Sequence, residues 1–170
     1  SLEDVQGLRI RTIQNKVYID ALSAMGMNPT PLPFPETFTA LETGAIDGNE
    51  IANDVTRSTS FYEVQDYLSL TNHLYTVTYL LMSEDKFQGL TGEQQQAVME
   101  AGDAAEAYSV ELGTKADAEI VSFLAEQGMQ VNKADIAAFT DASSAIWNDW
   151  AAEQPAAAQE LIDAIVAARP

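Results

Sequence analysis

The sequence predicts an α/β fold of short strands with one helix of unusual length. Three observations carry this expectation. β-prone and helix-periodic segments alternate at short intervals over the first third of the chain. Three prolines between Asn28 and Phe34 force that segment to be extended. Apolar residues then recur at every fourth position from Tyr108 to Leu124.

Taken in order, Leu8-Arg9-Ile10-Arg11-Thr12-Ile13 is rich in β-branched residues and predicts a strand. Tyr18, Ala21, Leu22 and Met25 follow at helical spacing, and Gly26 suits the left-handed position that closes a helix. Pro29, Pro31 and Pro33 lack the N–H that a strand with two neighbours must donate, so the segment belongs at a sheet edge or in a crossover and not at a sheet centre. Pro35-Glu36 opens a short helix through Phe38 and Leu41 that stops at Gly44, and Ala45-Ile46-Asp47-Gly48 reads as a brief strand entering a bend. From Tyr67 to Met82 the chain is apolar and β-prone, with Asn72 and His73 as its strongly polar interior residues, which predicts one bent strand or two joined strands. Thr91 and Gln94 form a capping box, and helical character continues to Gln127, a helix of about 35 residues and roughly 50 Å at 1.5 Å per residue. A helix of that length bridges two lobes or joins a coiled coil. Gly128 ends it; Met129-Gln130-Val131 predicts a strand, Ala134 to Trp150 a helix, and Pro155 starts a last Ala-rich helix ending near Arg169.

The 170 residues include 8 Lys+Arg and 26 Asp+Glu, a formal net charge of −18, and 46% are hydrophobic. Proteins hold nucleic acid by neutralising its phosphates, so this charge excludes nucleic acid as a partner. The same field repels anionic lipid, and no apolar run approaches the roughly 20 residues that span a bilayer. The chain has no cysteine, which removes disulfides, thiolate catalysis and cysteine-based zinc sites together. No basic stretch followed by an apolar one precedes Ser1, leaving either an intracellular chain or one whose leader has been removed.

Arg11 stands near the carboxyl end of the first strand, where ligands of α/β sheets collect, and its planar guanidinium can take a carboxylate in two parallel hydrogen bonds. On the residues alone an ordinary surface ion pair accounts for it equally well. His73 is the only imidazole and reads as a structural histidine. Asp47 and Glu50 are three apart, but no calcium-loop spacing follows, and a turn or helix-entry role fits better. Trp147 and Trp150 share a helical face and read as packing residues. No nucleophile elbow, phosphate-binding loop, dinucleotide fingerprint or zinc-protease motif occurs, so neither catalysis, a metal nor a cofactor is expected.

The segments Gly7-Leu8-Arg9-Ile10-Arg11, Gly26-Met27-Asn28-Pro29-Thr30-Pro31-Leu32-Pro33-Phe34 and Ala40-Leu41-Glu42-Thr43-Gly44-Ala45-Ile46-Asp47-Gly48-Asn49-Glu50, with Glu36 between the last two, form a recognisable pattern. With Phe61-Tyr62-Glu63-Val64 and Thr71-Asn72-His73 they resemble the DctP-type substrate-binding proteins of TRAP transporters. The resemblance implies a periplasmic-binding-protein-like lobe with a very long bridging helix and an N-terminal lobe largely missing. It also implies a periplasmic receptor, not an enzyme, that captures a small organic acid of the C4-dicarboxylate, sugar-acid or keto-acid kind for an ion-driven membrane permease. The ligand-binding set it suggests is Arg11 as carboxylate clamp, Phe34 as a wall of the site, Asn15, Asn49, and Ile51 at a position where many members carry an asparagine. Residues 1–76 and 117–170 would then belong to the second lobe, while 77–116 would complete the first. Without that first lobe the apolar stretch Val77 to Met82 and the residues Val98, Met99 and Tyr108 lose their cover, which predicts self-association. The competing expectation is a purely structural, self-associating module with no ligand.

Overall fold

The computed structural model describes residues 1–74 and 77–168, apart from the side chains at 114, 115 and 118, and places strand β1 (Arg9–Thr12) at the centre of a parallel sheet. On one side lies β2 (Asn28–Pro31), with Arg11 opposite Thr30, and on the other β3 (Gly48–Asn49), with Arg11 opposite Asn49. The proline-rich segment is therefore an edge strand, as its missing donors require. The third strand forms slightly later than the expected 45–48, because the Asp47 carboxylate is taken by the Arg9 backbone N–H and guanidinium.

Between β1 and β2 runs helix α1 (Lys16–Ala24), which buries Ala21 and Leu22 and closes at Gly26 with φ 87°. A turn of 3-10 helix at Phe34–Glu36 leads into α2 (Thr37–Glu42), and α3 (Asn53–Ser58) follows β3. Leu41, Ile46 and Phe61 form one apolar cluster beneath these elements.

β4 (Tyr67–Leu70) pairs in parallel with β5 (Gln130–Lys133), Leu68 opposite Val131. The strand expected across Tyr67 to Met82 stops at Leu70. Asn72 turns to φ 46°, residues 75 and 76 lie outside the described residues, and 77–83 pair with no strand. Leu80 and Leu81 are 83% and 84% exposed. β-propensity makes a strand only where a neighbour supplies ladder partners, and among the described residues none reaches this segment.

After the short α4 (Glu84–Gln88), helix α5 (Gly92–Glu126) has the expected length of 35 residues and opens on the expected capping box. Its apolar stripe is only partly used. Ile120 and Leu124 are buried with Met129 against Tyr62 and Leu68, whereas Tyr108 and Leu112 are exposed. The cation of Arg57 sits 4.8 Å over the Phe123 ring, and Tyr62 meets the same ring edge-on, fixing α3 to the far end of α5.

The single helix expected from Ala134 to Trp150 is broken into α6 (Ile136–Ser143) and α7 (Ala145–Ala152). The Ser143 hydroxyl donates to the carbonyls of Phe139 and Thr140 and that of Ser144 to Asp141, the back-bonding by which serine bends a helix. α8 (Ala157–Ala167) closes the described chain, and the expected end near Arg169 lies outside the described residues. Among the described residues no helix is long and apolar enough to cross a membrane.

Candidate functional site

The carboxyl ends of β1 and β2 open on a cleft of about 320 Å³, lined by Arg11, Ile13 and Gln14 from one strand end and by Pro31 to Phe34 from the other. Arg11 is 3% exposed, yet its guanidinium is only partly engaged. Nε donates to the Leu32 carbonyl at 3.1 Å, and the cation lies 5.6 Å from the centre of the Phe34 ring. Among the described residues neither terminal nitrogen has a hydrogen-bond partner. Burial lowers the pKa of this guanidinium and the nearby Glu50 raises it; an arginine stays charged under both influences.

Arg9, two residues earlier, shows what a heavily engaged arginine looks like on this strand. Its guanidinium donates to both Asp47 oxygens and to the carbonyls of Gly44 and Ala45, and the Asp47 carboxyl is held down to about 2 by the side-chain hydrogen bonds from Arg9. Four of the five Arg9 N–H groups are used in this way, and Arg9 does not line the cleft. Arg11 lines it and keeps both terminal nitrogens unpaired.

Beneath Arg11 lies a small polar group. Glu50, whose backbone N–H donates to the Arg11 carbonyl at 2.9 Å, has a side chain 13% exposed, and its Oε1 stands 3.9 Å from His73 Nε2. Burial pushes the Glu50 carboxyl up, and the positive charge of Arg11 pulls it down, helped by Thr12, whose buried hydroxyl lies near it without completing a hydrogen bond. Burial also pushes the His73 imidazole below its ordinary range, which keeps it neutral; Nδ1 shares a hydrogen with the Thr71 hydroxyl at 2.7 Å, while Nε2 is buried without a hydrogen-bond partner.

Of the residues expected at a site, Arg11 and Phe34 are brought together, and the Phe34 ring, 42% exposed, also meets Phe61 at 5.9 Å. Asn15, Asn49 and Ile51 do not line the cleft. Asn15 caps α1 by accepting from the Val17 N–H. Asn49 donates to Gln65 at 2.6 Å, and its buried Oδ1 has no partner. Ile51 leans on the Leu41–Ile46–Phe61 cluster. Glu50 and His73, read from sequence as a turn residue and a structural histidine, instead stand beside each other below Arg11. The only sequence signal for this was that both are strongly polar residues beside apolar or β-prone stretches. A larger groove of about 430 Å³ lies between α7 and α8, lined by Trp147, Asn148 and Asp163 among others, but it contains no cation, and the chemistry favours the smaller cleft.

A parallel α/β lobe with its cleft at the carboxyl ends of the strands has the architecture of the solute-binding proteins. The crystal structure of a TRAP periplasmic solute-binding protein from Roseobacter denitrificans with bound 3-deoxy-D-manno-oct-2-ulosonic acid superposes with a TM-score of 0.88. It is 34% identical, and the match covers 96% of this chain and 54% of that one. The 2,3-diketo-L-gulonate-binding periplasmic protein YiaO of Escherichia coli is 39% identical over 140 residues, 82% of this chain and 43% of its own length. An uncharacterised protein of Haemophilus influenzae is 43% identical over 129 residues, 76% of this chain and 39% of its own. The model of the DctP family, bacterial extracellular solute-binding protein family 7, matches residues 1–154, and the chain belongs to that family. It spans about two fifths of the length of these curated relatives.

Proposed function

We propose that this chain forms the carboxylate-holding part of a TRAP solute-binding protein, which takes up a small organic acid in the periplasm and delivers it to a membrane permease. The observation that carries this reading is the Arg11 guanidinium, buried to 3% exposure at a cleft with both terminal nitrogens unpaired. A cation taken out of water and left with free donors favours an anionic ligand, and the two-nitrogen fork matches a carboxylate. Phe34 supplies an apolar wall beside it. Relatives named for 2,3-diketo-L-gulonate and solved with 3-deoxy-D-manno-oct-2-ulosonic acid support acids of the sugar-derived and keto kind, with C4-dicarboxylates as a narrower option.

In this reading residues 1–76 and 117–170 form one lobe, while 77–116 complete a second with chain beyond this sequence. Isothermal titration with 3-deoxy-D-manno-oct-2-ulosonic acid tests the clamp. Losing one partner of a desolvated charge pair costs about 2–5 kcal/mol, so Arg11→Ala should weaken binding on the order of 30- to 4000-fold. An unchanged dissociation constant would remove the assignment.

A second reading rests on the exposed apolar run Tyr79-Leu80-Leu81 and on exposed Val98, Met99 and Tyr108. Surface of this kind is covered by pairing with a copy of itself, which would make the chain a self-associating module.

A further inference from the structure

We infer that Gln14 contacts the oxygen on the carbon next to the carboxylate held by Arg11, so that this chain favours 2-hydroxy and 2-keto acids over acids unsubstituted there. The inference rests on the reading of Arg11 as the carboxylate clamp and adds to it the residue that reads the next carbon. It concerns that carbon alone, and the rest of the acid belongs to other parts of the receptor.

The placement of Gln14 follows from its neighbours. Thr12 ends β1, and the Asn15 N–H donates to the Ile13 carbonyl at 2.8 Å, which closes a three-residue turn with Gln14 at its apex. Asn15 is fixed from the far side as well: its side chain accepts from the Val17 N–H at 2.9 Å and its carbonyl from the Ile19 N–H at 3.1 Å. The turn that commits Asn15 to capping α1 thus sets Gln14 on the lining of the cleft, shortly beyond Arg11 at the same strand end. A backbone held on both sides in this way has little freedom left to lose when a ligand arrives.

What Gln14 brings is an uncharged amide whose hydrogen-bonding groups are unused. Its side chain is exposed and, among the described residues, makes no hydrogen bond through Oε1 or Nε2. Its polar neighbours in the lining are engaged: the Leu32 carbonyl accepts from Arg11 Nε, the Leu32 N–H donates to the Thr12 carbonyl at 3.3 Å, and Pro31 and Pro33 have no N–H to give. The two terminal nitrogens of Arg11 match the two oxygens of a carboxylate. An oxygen on the adjacent carbon lies beside that pair, and the amide suits either form of it, since Oε1 accepts from a hydroxyl and Nε2 donates to a keto group. Being neutral, the amide also adds no repulsion against the ligand's anion. Sugar-derived and keto acids, the classes proposed above, carry such an oxygen at carbon 2.

D-Gluconate and 2-deoxy-D-gluconate differ only in the carbon-2 hydroxyl, and the Arg11 Nε–H bonded to Leu32 supplies a ¹⁵N–¹H signal that reports occupancy of the clamp. A neutral hydrogen bond contributes roughly a twofold to tenfold gain in affinity. Titrated into the 170-residue chain at physiological salt, D-gluconate should therefore move that signal with a dissociation constant at least about twofold below that of 2-deoxy-D-gluconate. Gln14→Met keeps an unbranched side chain of similar length at an exposed position and removes both amide groups. It should bring the ratio below about twofold while the Arg11 signal still responds. A ratio below that figure in the unaltered chain, or a larger one that survives Gln14→Met, overturns the role of Gln14 and leaves the clamp standing. If neither acid moves the Arg11 signal, the clamp and the Gln14 contact fall together.

Discussion

Replacing Arg11 by alanine does more than remove a ligand contact, because it strands Glu50. The Glu50 side chain is 13% exposed, with a neutral His73 3.9 Å away, and among the described residues Arg11 is the cation that favours its charge. Removing one member of a buried ion pair in contact costs about 3–5 kcal/mol, chiefly because the other charge stays buried without compensation. Arg11 and Glu50 act on each other through space and not as a contact pair, and Glu50 keeps some contact with water, so the cost here is about 1–2 kcal/mol. At about 2–4 °C per kcal/mol for a chain of this size, that lowers the melting temperature by roughly 2–8 °C at pH 7.

The pH dependence is the sharper signature. Burial already holds the Glu50 carboxyl above its usual value of 4.5, and Arg11 opposes that rise. Without Arg11 only the upward push remains. A carboxyl whose folded pKa exceeds its unfolded one contributes stability in full below the unfolded value and loses it as the pH climbs through the folded value. The deficit of Arg11→Ala should therefore be small at pH 4 and grow steadily to pH 7, and Arg11→Ala/Glu50→Gln should show a flat difference from Glu50→Gln. Thermal melts followed by circular dichroism at pH 4, 5, 6 and 7 read this directly. A deficit that does not change with pH, or a double variant that follows the single one, would refute the coupling.

Two further expectations concern the body of the lobe. Leu124 is fully buried against Ile120 and Met129, so Leu124→Ala should cost about 3–5 kcal/mol in urea unfolding with an unchanged m-value; a cost under about 1 kcal/mol would mean that α5 is not held by this cluster. If the apolar run at 79–81 pairs with a copy of itself, sedimentation equilibrium at micromolar concentration should show a dimer that Leu80→Asp dissociates, whereas a monodisperse 18.4 kDa monomer removes the self-associating reading.

What the sequence made legible was local. The start of α5 is written in Thr91 and Gln94 and its end in Gly128, and the edge position of β2 follows from prolines that cannot donate. Arg11 could be placed at a strand end by counting. Its surroundings could not, because the Leu32 carbonyl, the Phe34 ring and Glu50 come from other segments and are brought near it only through the β2-β1-β3 order, while His73 reaches Glu50 from beyond β4 in the other sheet. The same limit explains the strand expected beyond Leu70, since residues with strand propensity were visible and the absence of a neighbour was not. Asn15, which the family resemblance suggested as a ligand contact, here supplies the acceptor that the first turn of α1 needs, a role that the sequence did not announce.

The net charge of −18 opposes capture of the anionic ligand proposed above, and the burial of Arg11 offers a way to reconcile the two. At physiological ionic strength the screening length is about 8 Å, so acids farther away act weakly on the cleft and the near neighbours, Glu50 above all, decide its potential. Burial then changes the scale of what remains. Two unit charges 4 Å apart interact by about 1 kcal/mol in bulk water and about 4 kcal/mol at the effective dielectric found near protein surfaces. If Arg11 is the clamp proposed above, its attraction would become strong only once a ligand had entered and displaced water, and little of it would extend outward to steer an acid from a distance. Discrimination between acids would then come from contacts inside the cleft, Phe34 being one of the walls this chain supplies.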